Sequence, residues 1–192
     1  MMSLLLAALI CCCTGKPSGQ TPAYTKIDSL TDTYLLLKDS ILNTWNRMMY
    51  DDNQRIKAMK AIIHELKVTR EIDQDVLNKL DYRIDQLLRI RYTPKTMTNT
   101  DVVEEYDFAS NSLVVEIITL TESYPAYAYN SVLQQLLDVI RQTDQRIEAH
   151  RIQYDEAALA YNQFIEANKN HLHEIDQSLT PEKKPLFYIV SE

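Results

Sequence analysis

Residues 130–178 read NSVLQQLLDVIRQTDQRIEAHRIQYDEAALAYNQFIEANKNHLHEIDQS. A heptad repeat runs through this stretch, in which mostly apolar residues recur every seven positions. They are Leu133, Ile140, Ile147, Tyr154, Tyr161, Asn168 and Ile175. A sustained heptad keeps one face of a helix against a partner helix, as in coiled coils. The repeat therefore predicts a fourth and longest helix, about 73 Å long if it runs unbroken from Asn130 to Ser178.

Glycine is nearly missing from the rest of the chain. The 192 residues include two glycines and three cysteines, all within the first twenty positions. Ordinary domains contain about 7% glycine, and tight hairpins and phosphate-binding loops depend on it. The residues after Gln20 are therefore predicted to be all-α. They also lack the dinucleotide fingerprint, the P-loop, the nucleophile elbow and cysteine-ligated metal sites.

Apolar residues at steps of three and four predict three further helices, at about residues 22–68, 71–91 and 100–123, the last capped by Thr100 or Asp101. The economical arrangement is an elongated antiparallel four-helix bundle, in which the two long helices form the spine and the two shorter ones cover half of it. Asp52 interrupts the first stripe. It indicates a kink, a buried charge paired with another helix, or the level at which the number of helices changes, and we favour the last.

The amino terminus resembles an export signal. Leu4 to Cys13 is uninterrupted and apolar, but ten helical residues rise only about 15 Å and cannot span a bilayer. The cluster of cysteines at its end predicts a lipoprotein leader at residues 1–13, lipidated at Cys12 or Cys13, although no Lys or Arg precedes it. The alternative is that this apolar run is a buried helix end whose cysteine thiols have no function. We expect a flexible tether at 14–21, the bundle at 22–179 and a C-terminal tail at 180–192.

The charge pattern bears on possible partners and sites. With 20 Lys and Arg against 27 Asp and Glu, the net charge is −7, which argues against nucleic-acid binding. No Glu precedes a His by three residues, so the di-iron pattern is missing, and neither His64 nor His173 begins a zinc-protease motif. His171 and His173 face different sides of a helix. We therefore predict no catalytic, cofactor or metal site.

Two features leave a binding role open. His150 lies in the heptad seam, where a hydrogen-bonded histidine would fix the register, and the alternative is a pH-sensing or catalytic group in a pocket. Tyr124, Tyr127 and Tyr129 gather around Pro125. Either their rings cover the end of the bundle or they form a docking surface for a partner, because aromatic residues are enriched at interfaces.

A longer pattern resembles the LemA family. It consists of Glu122-Ser123-Tyr124-Pro125, then 143–157 (TDQRIEAHRIQYDEA) and Tyr161-Asn162. Trp45 and the helix after it are similar to the first family helix. The sequence departs from the family in lacking a membrane-spanning first helix, and in having Ile165 after Phe164 where a Phe-Pro step is usual. The resemblance implies a membrane-tethered helical bundle on the non-cytoplasmic side, with no established enzymatic activity.

These observations predict a non-enzymatic, lipid-anchored protein of the bacterial cell envelope, facing the periplasm or the exterior. Its helical surface would serve as an interaction or scaffold module for another envelope protein. Two alternatives stay open. One is a ligand-binding or catalytic bundle with a pocket near His150, and the other is a structural rod that associates with itself as a homo-oligomer.

Overall fold

Four helices account for most of the chain. The computed structural model describes residues 25–172 and 181–188. The helices are α1 (Lys26–Thr69), α2 (Gln74–Ile90), α3 (Thr100–Ser123) and α4 (Ser131–Ala167), with short 3-10 turns at Thr96–Thr98, Tyr127–Tyr129 and Lys169–His171. The described part of the chain contains no β-strand. The all-α prediction is therefore confirmed.

Polar caps fix where the helices begin. Thr25 and Asp28 form a reciprocal capping box at α1, with the Thr25 N–H donating to the Asp28 carboxylate at 2.8 Å. Asn99 caps α3, because its side-chain oxygen accepts from the Asp101 N–H at 3.1 Å. The prediction of Thr100 or Asp101 as that cap is wrong by one or two residues. Thr100 is itself the first helical residue, and Asn is among the best N-cap residues.

Helix α4 is shorter than the heptad predicts, and the prediction that it is the longest helix is wrong, because α1 has 44 residues and α4 has 37. It ends at Ala167, where the Asn168 backbone N–H and side-chain amide both donate to the Phe164 carbonyl, at 3.0 and 2.9 Å. The prediction of an unbroken helix to Ser178 is therefore wrong. Asn side chains compete with the helical ladder for backbone groups, and Asn168 precedes the turn that follows while Asn170 lies within it. Thirty-seven residues give a length of about 56 Å. Ile175 lies outside the described residues.

The main contact runs between α1 and α4. The Tyr34 ring lies 5.9 Å from the Tyr161 ring, and the Trp45 ring lies 5.9 Å from the Tyr154 ring. Further along α1, Asp51 accepts from Arg146. Residue numbers thus rise along α1 as they fall along α4. The heptad side chains within α4 are all buried, and they are Leu133, Ile140, Ile147, Tyr154 and Tyr161.

Helices α2 and α3 complete the core at the C-terminal half of α1. Lys67 of α1 pairs with Asp81 of α2 at 2.8 Å, and Lys60 pairs with Asp85. Arg83 of α2 pairs with Glu116 of α3. Between these surface pairs lie fully buried aliphatic side chains from both helices, including Leu80, Ile84, Leu87, Leu113 and Ile117. Burial of these side chains, rather than the exposed ion pairs, provides most of the stabilisation.

Residues 181–188 pack against the helices instead of extending away from them. Asn162 of α4 holds the Lys184 backbone on both sides, accepting from its N–H at 2.7 Å and donating to its carbonyl at 2.9 Å. The Asp155 carboxylate accepts the N–H groups of Phe187 and Tyr188, at 2.8 and 2.9 Å. The Phe187 ring stacks on Trp45 at 6.5 Å. The sequence predicts only a C-terminal tail at 180–192, without any contact to the helices.

Candidate functional site

A network of charged side chains crosses the middle of the bundle and centres on Asp52. The residue is 2% exposed. Its carboxylate accepts from Arg55 one turn later, at 2.7 Å, and from the Tyr106 hydroxyl of α3, which lies 2.7 Å from both carboxylate oxygens. An Nη of Arg91, the residue that ends α2, lies 2.9 Å from the same carboxylate. Asp52 is thus a paired buried charge, one of the three alternatives that its position raised.

Arg55 connects this cluster to α4. One of its Nη atoms donates to Asp52 and the other donates to the Asp144 carboxylate at 2.5 Å. Burial alone would lower the pKa of Arg55, but the carboxylates of Asp52 and Asp144 reverse that effect and raise it. Burial, together with the charge of Asp52, also raises the pKa of the Tyr106 hydroxyl. The arginine therefore stays charged and the tyrosine stays neutral, as the hydrogen bonds require.

Asp52 also marks a change in the composition of the bundle. Arg91 ends α2 beside it, so α2 pairs with α1 from this level to the C-terminal end of α1. On the other side of this level, residues 181–188 lie against Trp45 and α4. The position therefore fits the interpretation that we favoured, in which the number of helices changes, as well as the buried ion pair.

His150 belongs to a second cluster beside the first. Its Nε2 lies 3.2 Å from the Asp51 carboxylate, and its Nδ1 lies 3.2 Å from the Gln153 side-chain oxygen. Arg146 donates to the same Asp51 carboxylate through Nε and Nη2, at 3.0 and 2.8 Å. Both ring nitrogens of His150 thus have polar neighbours. The contact links α4 to α1 and agrees with a histidine that fixes the register of the two helices.

Arg151 organises a third cluster, which combines charge with aromatic rings. It forms a two-pronged contact with the Asp107 carboxylate of α3, one prong at 2.7 Å, and donates to the Tyr92 hydroxyl at 2.9 Å. Its guanidinium also lies 4.9 Å from the centre of the Phe187 ring. Planar guanidinium groups suit both kinds of contact. Arg151 therefore ties α4 to α3 and to the C-terminal segment.

The charged groups of these three clusters are largely occupied by one another. In the part of the chain that the structure describes, no group of three or more His, Cys, Asp or Glu side chains is arranged to hold a metal ion. A shallow recess of about 390 Å³ borders Asp51 and His150, lined by Asn43, Asn46, Arg47 and Tyr50. His171 lies in the 3-10 turn after α4, and His173 lies outside the described residues. The arrangement supports interhelical pairing more directly than it supports acid-base chemistry.

The three tyrosines at the proline break have different surroundings. Tyr124 ends α3 and is only 7% exposed, so its ring belongs to the core. Tyr127 is partly buried against the core, and its carbonyl accepts from the Gln134 side chain at 3.2 Å. Tyr129 is 94% exposed. The predicted surface is therefore divided, and Tyr129 is the member whose ring faces solvent.

The residues of α4 that form these clusters are those that carry the family pattern. Asp144, Arg146, His150 and Arg151 all lie within residues 143–157, and Asn162 holds the C-terminal segment. Comparison with family models gives a match to the LemA family over residues 44–191. The chain belongs to the LemA family. Comparisons with curated proteins and with solved structures give no match.

Family membership explains the pattern at the helix break as well as in α4. Glu122 pairs with Arg141 across the turn between α3 and α4, and Tyr124-Pro125 ends α3 as the LemA resemblance implied. Phe164 and Ile165 lie inside α4, so the helix continues at the point where a Phe-Pro step is usual. The LemA family is associated with bacterial membrane and envelope proteins and is not a known enzyme family.

The predicted membrane anchor falls outside what the structure covers. The leader at 1–13, with Cys12 and Cys13, and the tether at 14–21 all lie outside the described residues. Within residues 25–172 and 181–188, no helix has both the length and the apolar character needed to cross a bilayer.

Proposed function

We propose that this LemA family protein is a non-enzymatic, lipid-anchored component of the bacterial cell envelope. In this proposal its four helices form an elongated antiparallel bundle that serves as a scaffold or interaction module for another envelope protein. The observation that carries the proposal is the family match over residues 44–191. The ion-paired centre of the molecule supports a rigid module, because paired buried charges fix the relative positions of the helices.

The anchor is the first part of the proposal. A lipid on Cys12 or Cys13 would hold the bundle at the membrane through the tether at 14–21, with the bundle in the periplasm or outside the cell. The apolar run from Leu4 to Cys13 and the adjacent cysteines support it. One acyl chain gives only marginal retention, so stable anchoring requires more than one, as lipoprotein modification provides.

Metabolic labelling tests the anchor. Radiolabelled palmitate should enter the wild-type protein and be lost when Cys12 and Cys13 are both replaced by serine. Cys11→Ser is the matched control and should keep the label, because it leaves both candidate acceptors in place. Unlabelled wild-type protein in the cytosolic fraction would contradict the anchor.

The partner surface is the second part. Of the three tyrosines proposed for docking, Tyr129 offers an exposed ring, and Tyr127 is partly buried against the core. Tyrosine provides a large contact area at low cost in conformational entropy. The turn that carries it is held by Gln134, whose side-chain amide donates to the Ala128 carbonyl at 3.0 Å. A held turn reduces the ordering penalty of binding.

Crosslinking in cell envelopes tests this surface. Tyr129→Ser should weaken crosslinks to the partner while leaving the melting temperature nearly unchanged, because the ring contributes little to the core. Tyr82→Ser is the control, since Tyr82 is an exposed tyrosine on α2, away from this turn. Equal crosslinking by both variants would contradict a role for Tyr129. Crosslinks to further copies of this chain alone would favour the self-associating rod.

A further inference from the structure

A large cleft lies between α1, Tyr154 of α4, the loop at residues 91–99 and the C-terminal segment. Its volume is about 720 Å³, within the range of about 300–1,000 Å³ that is typical of small-molecule sites. Trp45 and Tyr154 lie at its base, and Pro94 and Pro185 lie on its two flanks. We call it the lysine cleft, for the four lysines that also line it, Lys38, Lys95, Lys183 and Lys184.

The base of the lysine cleft is apolar and partly open to water. Ile41, Trp45 and Tyr154 are buried by the surrounding fold, but Leu42, which lines the same cleft, is 56% exposed. An exposed leucine beside buried aromatic rings, within a concave surface, can transfer further apolar area out of water when a ligand binds.

The rim of the cleft carries excess positive charge. Four lysines line it, against the carboxylates of Asp39 and Glu182. Lys183 pairs with Glu166 at 3.6 Å. Among residues 25–172 and 181–188, no carboxylate forms an ion pair with Lys38, Lys95 or Lys184. The ammonium groups of Lys38 and Lys184 instead lie over the rings of Tyr34 and Tyr161, at 5.0 and 5.6 Å.

This concentration of lysines stands out because the whole chain has a net charge of −7. An apolar base with a lysine rim is complementary to a molecule that has an apolar body and an anionic end. Lysine presents a compact point charge, which suits a small anion such as a carboxylate. A cleft flanked by the 91–99 loop and by the C-terminal segment can receive an acyl tail, whereas a flat bilayer would contact only its rim.

We propose that the lysine cleft binds a single-chain anionic amphiphile, namely a free long-chain carboxylate. The tail lies along Leu42 and Trp45, and the carboxylate faces Lys38 and Lys95. This activity goes beyond the envelope role and does not depend on the partner surface at Tyr129.

Trp45 reports on this binding directly, because it is the single tryptophan of the chain and lies at the base of the cleft. Titration of the purified protein with dodecanoate should change Trp45 emission and reach saturation. Dodecanol and dodecylammonium have the same tail, and both should bind at least roughly tenfold more weakly than dodecanoate, because neither supplies the anion. No saturable change with dodecanoate, or equal binding of dodecanol, would overturn the proposal.

Paired variants separate the cleft from nonspecific adsorption. Lys38→Gln combined with Lys95→Gln should weaken dodecanoate binding roughly tenfold. Lys57→Gln combined with Lys79→Gln removes the same charge from exposed positions outside the cleft and should leave the affinity unchanged. Leu42→Ser should weaken binding, whereas Leu36→Ser, at a position that is 70% exposed and does not line the cleft, should not.

Equal losses in the target and control pairs would overturn the assignment of the cleft. Circular dichroism melts establish that each variant is folded. Vesicles distinguish the source of the anion: phosphatidylglycerol vesicles should not reproduce the response to dodecanoate, and neither should phosphatidylcholine vesicles. A Trp45 response to phosphatidylglycerol vesicles without one to dodecanoate would overturn the free carboxylate in favour of a lipid surface.

Discussion

Asp52 occupies a position on the apolar stripe of α1 where a hydrophobic side chain would ordinarily pack. It is accommodated because Arg55, Arg91 and Tyr106 each approach its carboxylate within 2.9 Å. Forming such a pair offers little net stabilisation, since both charges lose water, but removing one partner leaves the others buried without compensation. The free energy of unfolding should therefore respond far more to loss of Asp52 than to loss of a surface carboxylate.

Asp52→Ala should lower the free energy of unfolding by roughly 3–5 kcal/mol, because Arg55 would lose a buried counter-charge and Tyr106 a hydrogen-bond acceptor. Urea denaturation monitored by circular dichroism measures it. Asp85→Ala is the control, because Asp85 pairs with Lys60 on the surface, and it should cost about 0–1 kcal/mol. Equal effects of the two substitutions would show that the network contributes no more than an exposed pair.

The sequence could identify Asp52 as unusual but could not identify its partners. Tyr106 lies 54 positions away, and Asp144 lies 89 positions from Arg55. Single-sequence periodicity describes one helix at a time, so it indicates which face is buried and not which residues of two helices meet. The same reason explains why His150 could be placed in the seam while its contact with Asp51 could not be foreseen.

At the level of elements, the hydrophobic periodicity predicted helices correctly where the pattern extended over several turns. Helices α1, α2 and α3 lie within four residues of their predicted limits, and α4 begins one residue after its predicted start, because each carries several turns of apolar residues at helical spacing. It failed at the end of α4, because Asn168 bonds to the Phe164 carbonyl and ends the helix although the heptad continues to Ile175. It also gave no sign that the C-terminal segment packs on the helices, since residues 181–188 are few and include two prolines.

The second prediction concerns the C-terminal segment at residues 181–188. Phe187→Ala should lower the free energy of unfolding by roughly 1–3 kcal/mol, because the Phe187 ring contacts Trp45, Tyr92 and Tyr154. Trp45 emission should also move to longer wavelength as water reaches the indole. Tyr188→Phe is the control, since it removes only the hydroxyl that donates to Glu148 at 2.7 Å. Unchanged Trp45 emission in Phe187→Ala would mean that the segment does not cover the tryptophan.

Across the whole molecule, buried phenols make stability depend on alkaline pH. Burial raises the pKa of Tyr154 to about 12, and partial burial together with Glu148 raises to about 12 the pKa of Tyr188, which is 42% exposed. Burial also raises the pKa of Tyr92, Tyr106 and Tyr161 above the ordinary value of 10.0. Above pH 10 the unfolded chain therefore releases protons that the folded chain retains. The folded state then binds more protons, so the free energy of unfolding falls as pH rises.

Urea denaturation at a series of pH values from below 10 to 12 measures this third prediction, with phenolate absorbance recorded in parallel. The expected result is a continuous loss of stability above pH 10, with the buried Tyr92, Tyr106 and Tyr161 ionising only as the chain unfolds. Tyr154→Phe should make the loss shallower, because it removes one of the retained protons. A free energy of unfolding that stays constant from pH 10 to 12 would contradict the burial of these hydroxyls.

The opposite directions of α1 and α4 determine how far Tyr129 lies from the start of α1. The contacts pair Tyr34 with Tyr161 and Asp51 with Arg146, so the start of α4, and Tyr129 just ahead of it, lie toward the C-terminal end of α1. The 44 residues of α1 extend about 66 Å. An anchor placed ahead of Thr25 and a binding event at Tyr129 would thus be separated by nearly the full height of the molecule. The bundle would act as a spacer, and the distance between the anchor and Tyr129 would change by about 10 Å for each heptad added to both long helices.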